Sequence, residues 1–100
     1  MGFLDFIFGT SSKANIHEML NKGATILDVR SKPEFAGGHA KGAINIPLDQ
    51  LPSQLGRFNK EQIIVTCCAS GIRSGNAKKI LNQAGFLNVH NGGSWQNVDR

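Results

Sequence analysis

Residues 62–74 read QIIVTCCASGIRS and combine an apolar run, a loop that contains glycine and the start of a helical pattern. From Gln62 to Cys67 the run is apolar and rich in β-branched residues, which is typical of a strand buried on both faces of a parallel sheet. Beyond it, the residues from Ser74 to Ala84 place their apolar side chains on one helical face, and Gly85 follows as a stop. The stretch therefore predicts a buried strand, a short loop and a helix.

Working outward, further helices and strands alternate along the chain. Helices are predicted at Ser12–Lys22, Pro33–Phe35 and Leu48–Phe58, and strands at Thr25–Val29, Ala43–Ile46 and Phe86–His90. Such alternation predicts an α/β domain with a mostly parallel sheet. A chain of 100 residues supports one domain. We assign residues 12–100 to this domain and residues 1–11 to a short apolar leader.

The composition narrows the possible partners. Forty per cent of the residues are hydrophobic, and 11 Lys and Arg residues against 7 Asp and Glu residues give a net charge of +4. A modest positive charge favours small anionic ligands by electrostatic steering. Basic runs interleaved with aromatic residues are absent, so we expect no nucleic-acid partner. The leader MGFLDFIFG lacks the basic start of a signal peptide and is too short to span a membrane. We expect a monomer.

The chain contains two cysteines, Cys67 and Cys68, which are adjacent. Neighbouring cysteines cannot form a disulfide of ordinary geometry, so the protein is expected in a reducing compartment, the cytoplasm. Together with three scattered histidines they do not make the ligand spacing of a zinc site. We therefore expect neither a metal ion nor an organic cofactor.

The loop after the cysteines has the features of an anion-binding site. Four residues separate Cys68 from Arg73: Ala69, Ser70, Gly71 and Ile72. Ligands of open α/β sheets bind outside the carboxyl ends of the strands, where this loop is expected. Its N–H groups can converge on one point, and the following helix and Arg73 add positive charge. A thiol at that point should ionise readily, and the thiolate is the form that attacks.

Five segments of the chain resemble one known family, and together they cover roughly residues 12–97. Along the chain they are Leu27-Asp28-Val29-Arg30, Glu34-Phe35, Gly38-His39-Ala40-Lys41-Gly42-Ala43-Ile44-Asn45-Ile46-Pro47, Cys68-Ala69-Ser70-Gly71-Ile72-Arg73-Ser74, and the closing Ala84-Gly85-Phe86 with Val89 and a predicted Asn91-Gly92-Gly93 turn. In this order and at this spacing they resemble the rhodanese-type sulfurtransferases. The resemblance implies a three-layer α/β/α fold whose mostly parallel central sheet has four to five strands.

The resemblance also implies a reaction and roles for individual residues. The thiolate of Cys68 would take the outer sulfur of a small anionic donor such as thiosulfate and hold it as a persulfide. Cyanide or a thiol, including a protein thiol, would then accept the sulfur. Arg73 and the N–H groups from Ala69 onward would hold the donor and the persulfide. Arg30, at a neighbouring strand end, would either stabilise the anionic donor or form an ion pair with Asp28 or Glu34.

The adjacent cysteines leave an alternative open. Counted from Cys67, five residues precede Arg73, which is the spacing of cysteine phosphatases and arsenate reductases, some of which share the rhodanese fold. Gly71 lies three residues after Cys68, where the loop patterns of both groups tend to place a glycine, and Thr66 stands where phosphatases usually have histidine. These points favour Cys68 and sulfur transfer. A further alternative is a module without catalytic activity that carries sulfur or binds a partner.

Overall fold

A computed structural model describes residues 11–100. The predicted apolar leader, apart from Ser11, lies outside the described residues. The helices are α1 (Lys13–Asn21), α2 (Lys32–Ala36), α3 (Ile72–Gln83) and α4 (Trp95–Val98), with short 3-10 helices at Leu48–Ser53 and Leu55–Arg57. The strands are β1 (Thr25–Asp28), β2 (Ile44–Asn45), β3 (Ile64–Cys68) and β4 (Val89–Ser94).

The four strands form one parallel sheet in the order β2-β1-β3-β4. Asp28 at the end of β1 is in register with Cys67, and Cys68 is in register with Ser94 of β4. The carboxyl ends of β1, β3 and β4 therefore meet at the same edge of the sheet. The predicted α/β fold with a parallel central sheet is confirmed.

Side-chain caps explain where the first two helices begin. Ser12 accepts a hydrogen bond from the Asn15 N–H at 3.2 Å and starts α1 as predicted. Ser31 and Glu34 form a reciprocal capping box at the start of α2, and Pro33 occupies its first turn. Such caps satisfy N–H groups that have no partner within the helix.

The sheet separates two apolar clusters, which we call core A and core B. Core A is formed by Leu27, Val29, Ile46, Leu51, Ile64, Cys68, Ala77, Leu81, Phe86 and Val89. Core B is formed by Ile16, Leu20, Ile26, Ala40, Val65, Cys67 and Val98. Helix α3 covers one face of the sheet, and α1 and α4 cover the other, which gives the expected three layers.

The predicted helix from Leu48 to Phe58 is wrong, since two 3-10 helices occupy this segment. Pro52 lies inside the first of them. Proline has no N–H and its ring clashes with the preceding turn of an α-helix, so only short turns form here. The apolar spacing still serves its purpose, because Leu51 is fully buried in core A.

The last strand also differs from its prediction. It runs from Val89 to Ser94 and includes the Asn-Gly-Gly segment that was predicted to be a turn. Phe86 is buried in core A but precedes the strand. A Cβ atom on Gly92 would lie 2.8 Å from the Thr66 carbonyl oxygen and 2.6 Å from Val98 Cγ1. Glycine is therefore needed here for close approach to β3 and not for a turn.

Within residues 11–100, no helix is long and apolar enough to cross a membrane.

Candidate active site

The segment from Cys68 to Arg73, which we call the cysteine loop, joins the end of β3 to the start of α3. Helix α3 begins at Ile72, two residues earlier than predicted, and Gly71 caps it with a positive φ of 105°. This backbone conformation disfavours residues with a Cβ atom. A Cβ atom on Gly71 would also lie 3.4 Å from the Gly93 Cα atom of β4. The turn thus directs the first N–H groups of the loop back toward the end of β3.

These N–H groups surround the sulfur of Cys68, which is fully buried. The sulfur accepts hydrogen bonds from the Gly71 N–H at 3.0 Å and the Ser74 N–H at 3.4 Å. Burial raises the pKa of the Cys68 thiol, but hydrogen bonds with the Ser74 side chain and with the N–H groups of Ser74, Gly71 and Ser70 outweigh burial and lower it. The loop therefore favours the thiolate, which is the nucleophilic form.

A buried network of polar side chains, formed by Ser74 and Asn91, lies next to the sulfur of Cys68. The Ser74 hydroxyl lies 3.4 Å from Cys68 Sγ and donates to Asn91 Oδ1 at 2.6 Å. Asn91 Oδ1 also accepts the Gly93 N–H at 2.9 Å, and Asn91 Nδ2 donates to the Gly71 carbonyl at 3.0 Å. Asn91 thus connects β4 to the cysteine loop. Sequence reasoning missed this residue, because Asn-Gly-Gly is the usual signal of a turn.

Arg73 pairs with a residue that the sequence analysis did not connect to it. Its Nη1 and Nη2 atoms donate to the two carboxylate oxygens of Glu34 at 2.7 and 3.0 Å. Among the described residues, no hydrogen bond joins Arg73 to Cys68, although their charges are close enough to interact. The hydrogen bond with Glu34 and the charges of Glu34 and Cys68 raise the pKa of Arg73 despite partial desolvation. Arg73 therefore places a positive charge at the end of the loop, and the negative charge of Glu34 partly neutralises it.

Arg30 forms an ion pair, which is one of its two predicted roles, and its contact with a donor stays a prediction. It is 5% exposed, and its Nη2 donates to Asp28 at 2.7 Å and to the Gly38 carbonyl at 2.7 Å. Its Nε also donates to both Asp28 carboxylate oxygens, at 3.0 and 3.1 Å. The guanidinium carbon lies 5.0 Å from the ring centre of Trp95, a cation–π contact. These contacts tie β1 to the segment before β2 and to α4, and they leave Arg30 engaged by the protein.

The two cysteines face opposite sides of the sheet, as expected for neighbours in a strand. Cys67 packs in core B and Cys68 in core A. Burial, followed by the negative charge of Asp28, raises the pKa of the Cys67 thiol, and Arg30 opposes this only in part. The fold brings Cys68, and not Cys67, to the N–H groups of the loop.

The remaining residues of the predicted site lie at the surface. Ala69 and Ser70 are exposed, and the side chain of Ile72 is directed into solvent, with the residue 72% exposed. Only backbone groups of these residues are available to the sulfur. Within residues 11–100, no group of three His, Cys, Asp or Glu side chains is placed to hold a metal ion. The expectation that the site uses neither metal nor cofactor stays a prediction.

Comparison with known proteins gives one consistent result. The rhodanese-like domain family model matches residues 12–98. The uncharacterized protein YqhL of Bacillus subtilis is 37% identical over 68 residues, which are 68% of this chain and 54% of that protein. The thiosulfate sulfurtransferase PspE of Escherichia coli is 32% identical over 74 residues, which are 72% of this chain and 71% of that protein.

A solved structure shows the same similarity in three dimensions. The human single-domain sulfurtransferase TSTD1 superposes with a TM-score of 0.79 at 28% identity, covering 89% of this chain and 93% of that one. The range matched by the family model, residues 12–98, includes the parallel sheet, the cysteine loop and the α3 helix that follows it. The chain therefore belongs to the rhodanese-like domain family and has thiosulfate sulfurtransferases among its relatives.

Proposed function

We propose that this protein is a sulfurtransferase that moves a sulfane sulfur from a donor such as thiosulfate to cyanide or a thiol through a persulfide on Cys68. One observation carries the proposal. The sulfur of Cys68 accepts hydrogen bonds from the loop N–H groups, which lower the pKa of the thiol despite its burial. Such a sulfur is an activated nucleophile, and no histidine is needed to activate it.

In the first step the Cys68 thiolate attacks the outer sulfur of thiosulfate. A bond forms between the two sulfur atoms, the sulfur–sulfur bond of the donor breaks, and its electron pair leaves with sulfite. The charge that develops on the outer sulfur needs hydrogen-bond donors in fixed positions. The N–H groups of the cysteine loop supply donors of this kind, and Arg73 supplies a positive charge beside them.

In the second step the acceptor attacks the outer sulfur of the persulfide, and Cys68 leaves as a thiolate. The hydrogen bonds that lower the pKa of Cys68 also make it a better leaving group. The acceptor is cyanide or a thiol, and the thiol can belong to another protein. Thiol chemistry of this kind needs reduced cysteines, so we propose that the protein works in the cytoplasm.

Oxyanion chemistry at Cys67 has less support. Cys67 faces core B, away from the loop, and its pKa is raised. A buried thiol that stays protonated is a poor nucleophile.

Intact mass spectrometry after mixing the reduced protein with thiosulfate tests the proposal. We expect the wild type and Cys67→Ser to gain the mass of one sulfur atom and Cys68→Ser to gain none. Cyanide or a thiol should then remove the added mass. A sulfur that stays in Cys68→Ser and disappears in Cys67→Ser would overturn the assignment. Absence of the adduct in the wild type would count against sulfur transfer from thiosulfate.

A further inference from the structure

The ion pair between Glu34 and Arg73 lies at the edge of the candidate active site. It joins the first turn of α2 to the end of the cysteine loop, across 39 positions of sequence. Both carboxylate oxygens and two guanidinium nitrogens take part, which is the bidentate geometry that arginine favours. The two side chains are 39% and 36% exposed, so a ligand that approaches the loop from solvent can meet both charges.

Glu34 is fixed in this place by its own helix. Its Oε1 accepts the Ser31 N–H at 3.1 Å and the Ser31 hydroxyl at 3.0 Å, in addition to Arg73. The hydrogen bond with Arg73, followed by those with Ser31, lowers the pKa of Glu34 to about 2. The carboxylate is therefore charged at every pH at which the protein would work. A negative charge is therefore always present at this edge of the candidate active site.

A fixed negative charge at the edge of the candidate active site changes which anions bind there favourably. Arg73 alone would attract any anion, but its charge is balanced by Glu34 at contact distance. The Coulomb energy grows with the charge of the ligand, so the repulsion by Glu34 is twice as large for a doubly charged anion as for a singly charged one. An uncharged reagent is not repelled by Glu34.

We propose that Glu34 is a specificity-determining residue, which disfavours doubly charged donors such as thiosulfate and favours sulfur donors with one negative charge or none, the hydropersulfides of organic thiols. This inference rests on the proposed function for its substrates. The step is the same exchange: the Cys68 thiolate attacks the terminal sulfur of the hydropersulfide, and the organic thiolate leaves. The proton of the hydropersulfide passes to the thiolate product or stays on the new persulfide.

The test compares wild type, Glu34→Gln and the control Glu18→Gln. Gln keeps an oxygen and an N–H group for Ser31 and Arg73 but removes the charge. Glu18 lies on α1 in an exposed ion pair with Lys22 at 3.3 Å, so its replacement removes the same charge elsewhere. Donors are thiosulfate, with two charges, and 2-mercaptoethanol hydropersulfide, with one at most. In parallel, Cys68 is alkylated with anionic iodoacetate and neutral iodoacetamide.

For charges about 8 Å apart in water, Coulomb's law gives roughly a twofold rate change per unit of ligand charge, and about fivefold for a dianion. We expect Glu34→Gln to raise kcat/KM for thiosulfate about fivefold and the rate ratio of iodoacetate to iodoacetamide about twofold. Each change should shrink in about 1 M salt, where the Debye length is near 3 Å. In Glu34→Gln, kcat/KM for the hydropersulfide should rise twofold or less. Glu18→Gln should leave the donor and alkylation ratios unchanged.

Two results would overturn the proposal. One is an unchanged iodoacetate to iodoacetamide ratio in Glu34→Gln. The other is an equal loss with both donors, which would mean that Glu34 only holds Arg73 in place. Failure of the proposed function looks different, because no donor would then leave sulfur on Cys68 in any variant. The alkylation ratio needs no sulfur transfer, and it would still decide for or against the role of Glu34.

Discussion

Adjacent cysteines with opposite properties are the main feature at the scale of single residues. Both thiols are fully buried, and burial alone would raise the pKa of each. Cys68 differs because backbone N–H groups and the Ser74 hydroxyl reach its sulfur, whereas Cys67 has the charge of Asp28 nearby. Hydrogen bonds aimed at one atom, and not solvent exposure, lower the pKa of Cys68 and favour its thiolate.

The pH dependence of Cys68 follows from this. A lowered pKa means that the thiolate persists to lower pH than for an ordinary cysteine, and that reactivity falls as the pH drops through this value. Replacing Ser74 with Ala removes a hydrogen bond that favours the thiolate, so we expect the pKa of Cys68 to rise. The rate of alkylation by iodoacetamide, measured against pH, should show its midpoint at higher pH in Ser74→Ala.

Ser53→Ala provides the control for this experiment. Ser53 makes an exposed hydrogen bond to the Gln50 carbonyl at 2.9 Å and, among the described residues, none to Cys68, so the same substitution there should leave the midpoint unchanged. A midpoint that stays in place or moves to lower pH in Ser74→Ala would show that Ser74 does not stabilise the thiolate.

At the scale of secondary-structure elements, the close contact of β4 with β3 positions the loop. A Cβ atom on Gly92 would lie 2.8 Å from the Thr66 carbonyl oxygen and 2.9 Å from Val65 Cγ1. Only glycine fits there without movement of β3 or α4. The same approach brings Asn91 and the Gly93 Cα atom to Gly71 of the cysteine loop.

Gly92→Ala should therefore destabilise the protein by overpacking. We expect the free energy of unfolding to fall by about 1–3 kcal/mol, the usual range for extra methyl groups in a packed interior. Chemical denaturation measures this change. Gly56→Ala is the matched control, since a Cβ atom on Gly56 would have nothing within 4 Å. Equal stability of the two variants would contradict the close contact.

Local patterns predicted most elements, and the exceptions have physical causes. The helix α1, with its Ser12 cap, and the buried strand β3 agree with their sequence signals. Pro52 turned the predicted helix from Leu48 into 3-10 turns, because it cannot donate a backbone hydrogen bond. The Asn-Gly-Gly signal was read as a turn because close approach to another strand leaves no local trace in sequence.

At the scale of the whole molecule, one sheet divides the interior into core A and core B. Leu81 belongs to core A, while Trp95, the single tryptophan, packs beside core B. Since the strands of the sheet contribute side chains to both cores, neither core can loosen without the other. We therefore expect one cooperative unfolding transition, as is usual for single domains under 150 residues.

Leu81→Ala tests this coupling. Removing a fully buried leucine should lower the free energy of unfolding by about 2–5 kcal/mol. Trp95 fluorescence and far-UV circular dichroism should report the same shift of the denaturation midpoint, although Trp95 lies on the other face of the sheet. A tryptophan transition that does not move while the circular dichroism transition shifts would show that the two cores unfold separately.

The sequence by itself determined the α/β class, the strand that carries the cysteines, the loop to Arg73 and the choice of Cys68 as the expected nucleophile. The class and the strand follow from periodicity. The choice of Cys68 follows from the resemblance of the loop from Cys68 to Arg73 to the rhodanese pattern, whose residues lie within a few positions of one another. Tertiary structure alone decided that Glu34 pairs with Arg73, that Asn91 supports Ser74 and that Trp95 packs against Arg30. Each of these depends on contacts between residues brought together only when parallel strands align their carboxyl ends, and local pattern carries no record of that alignment.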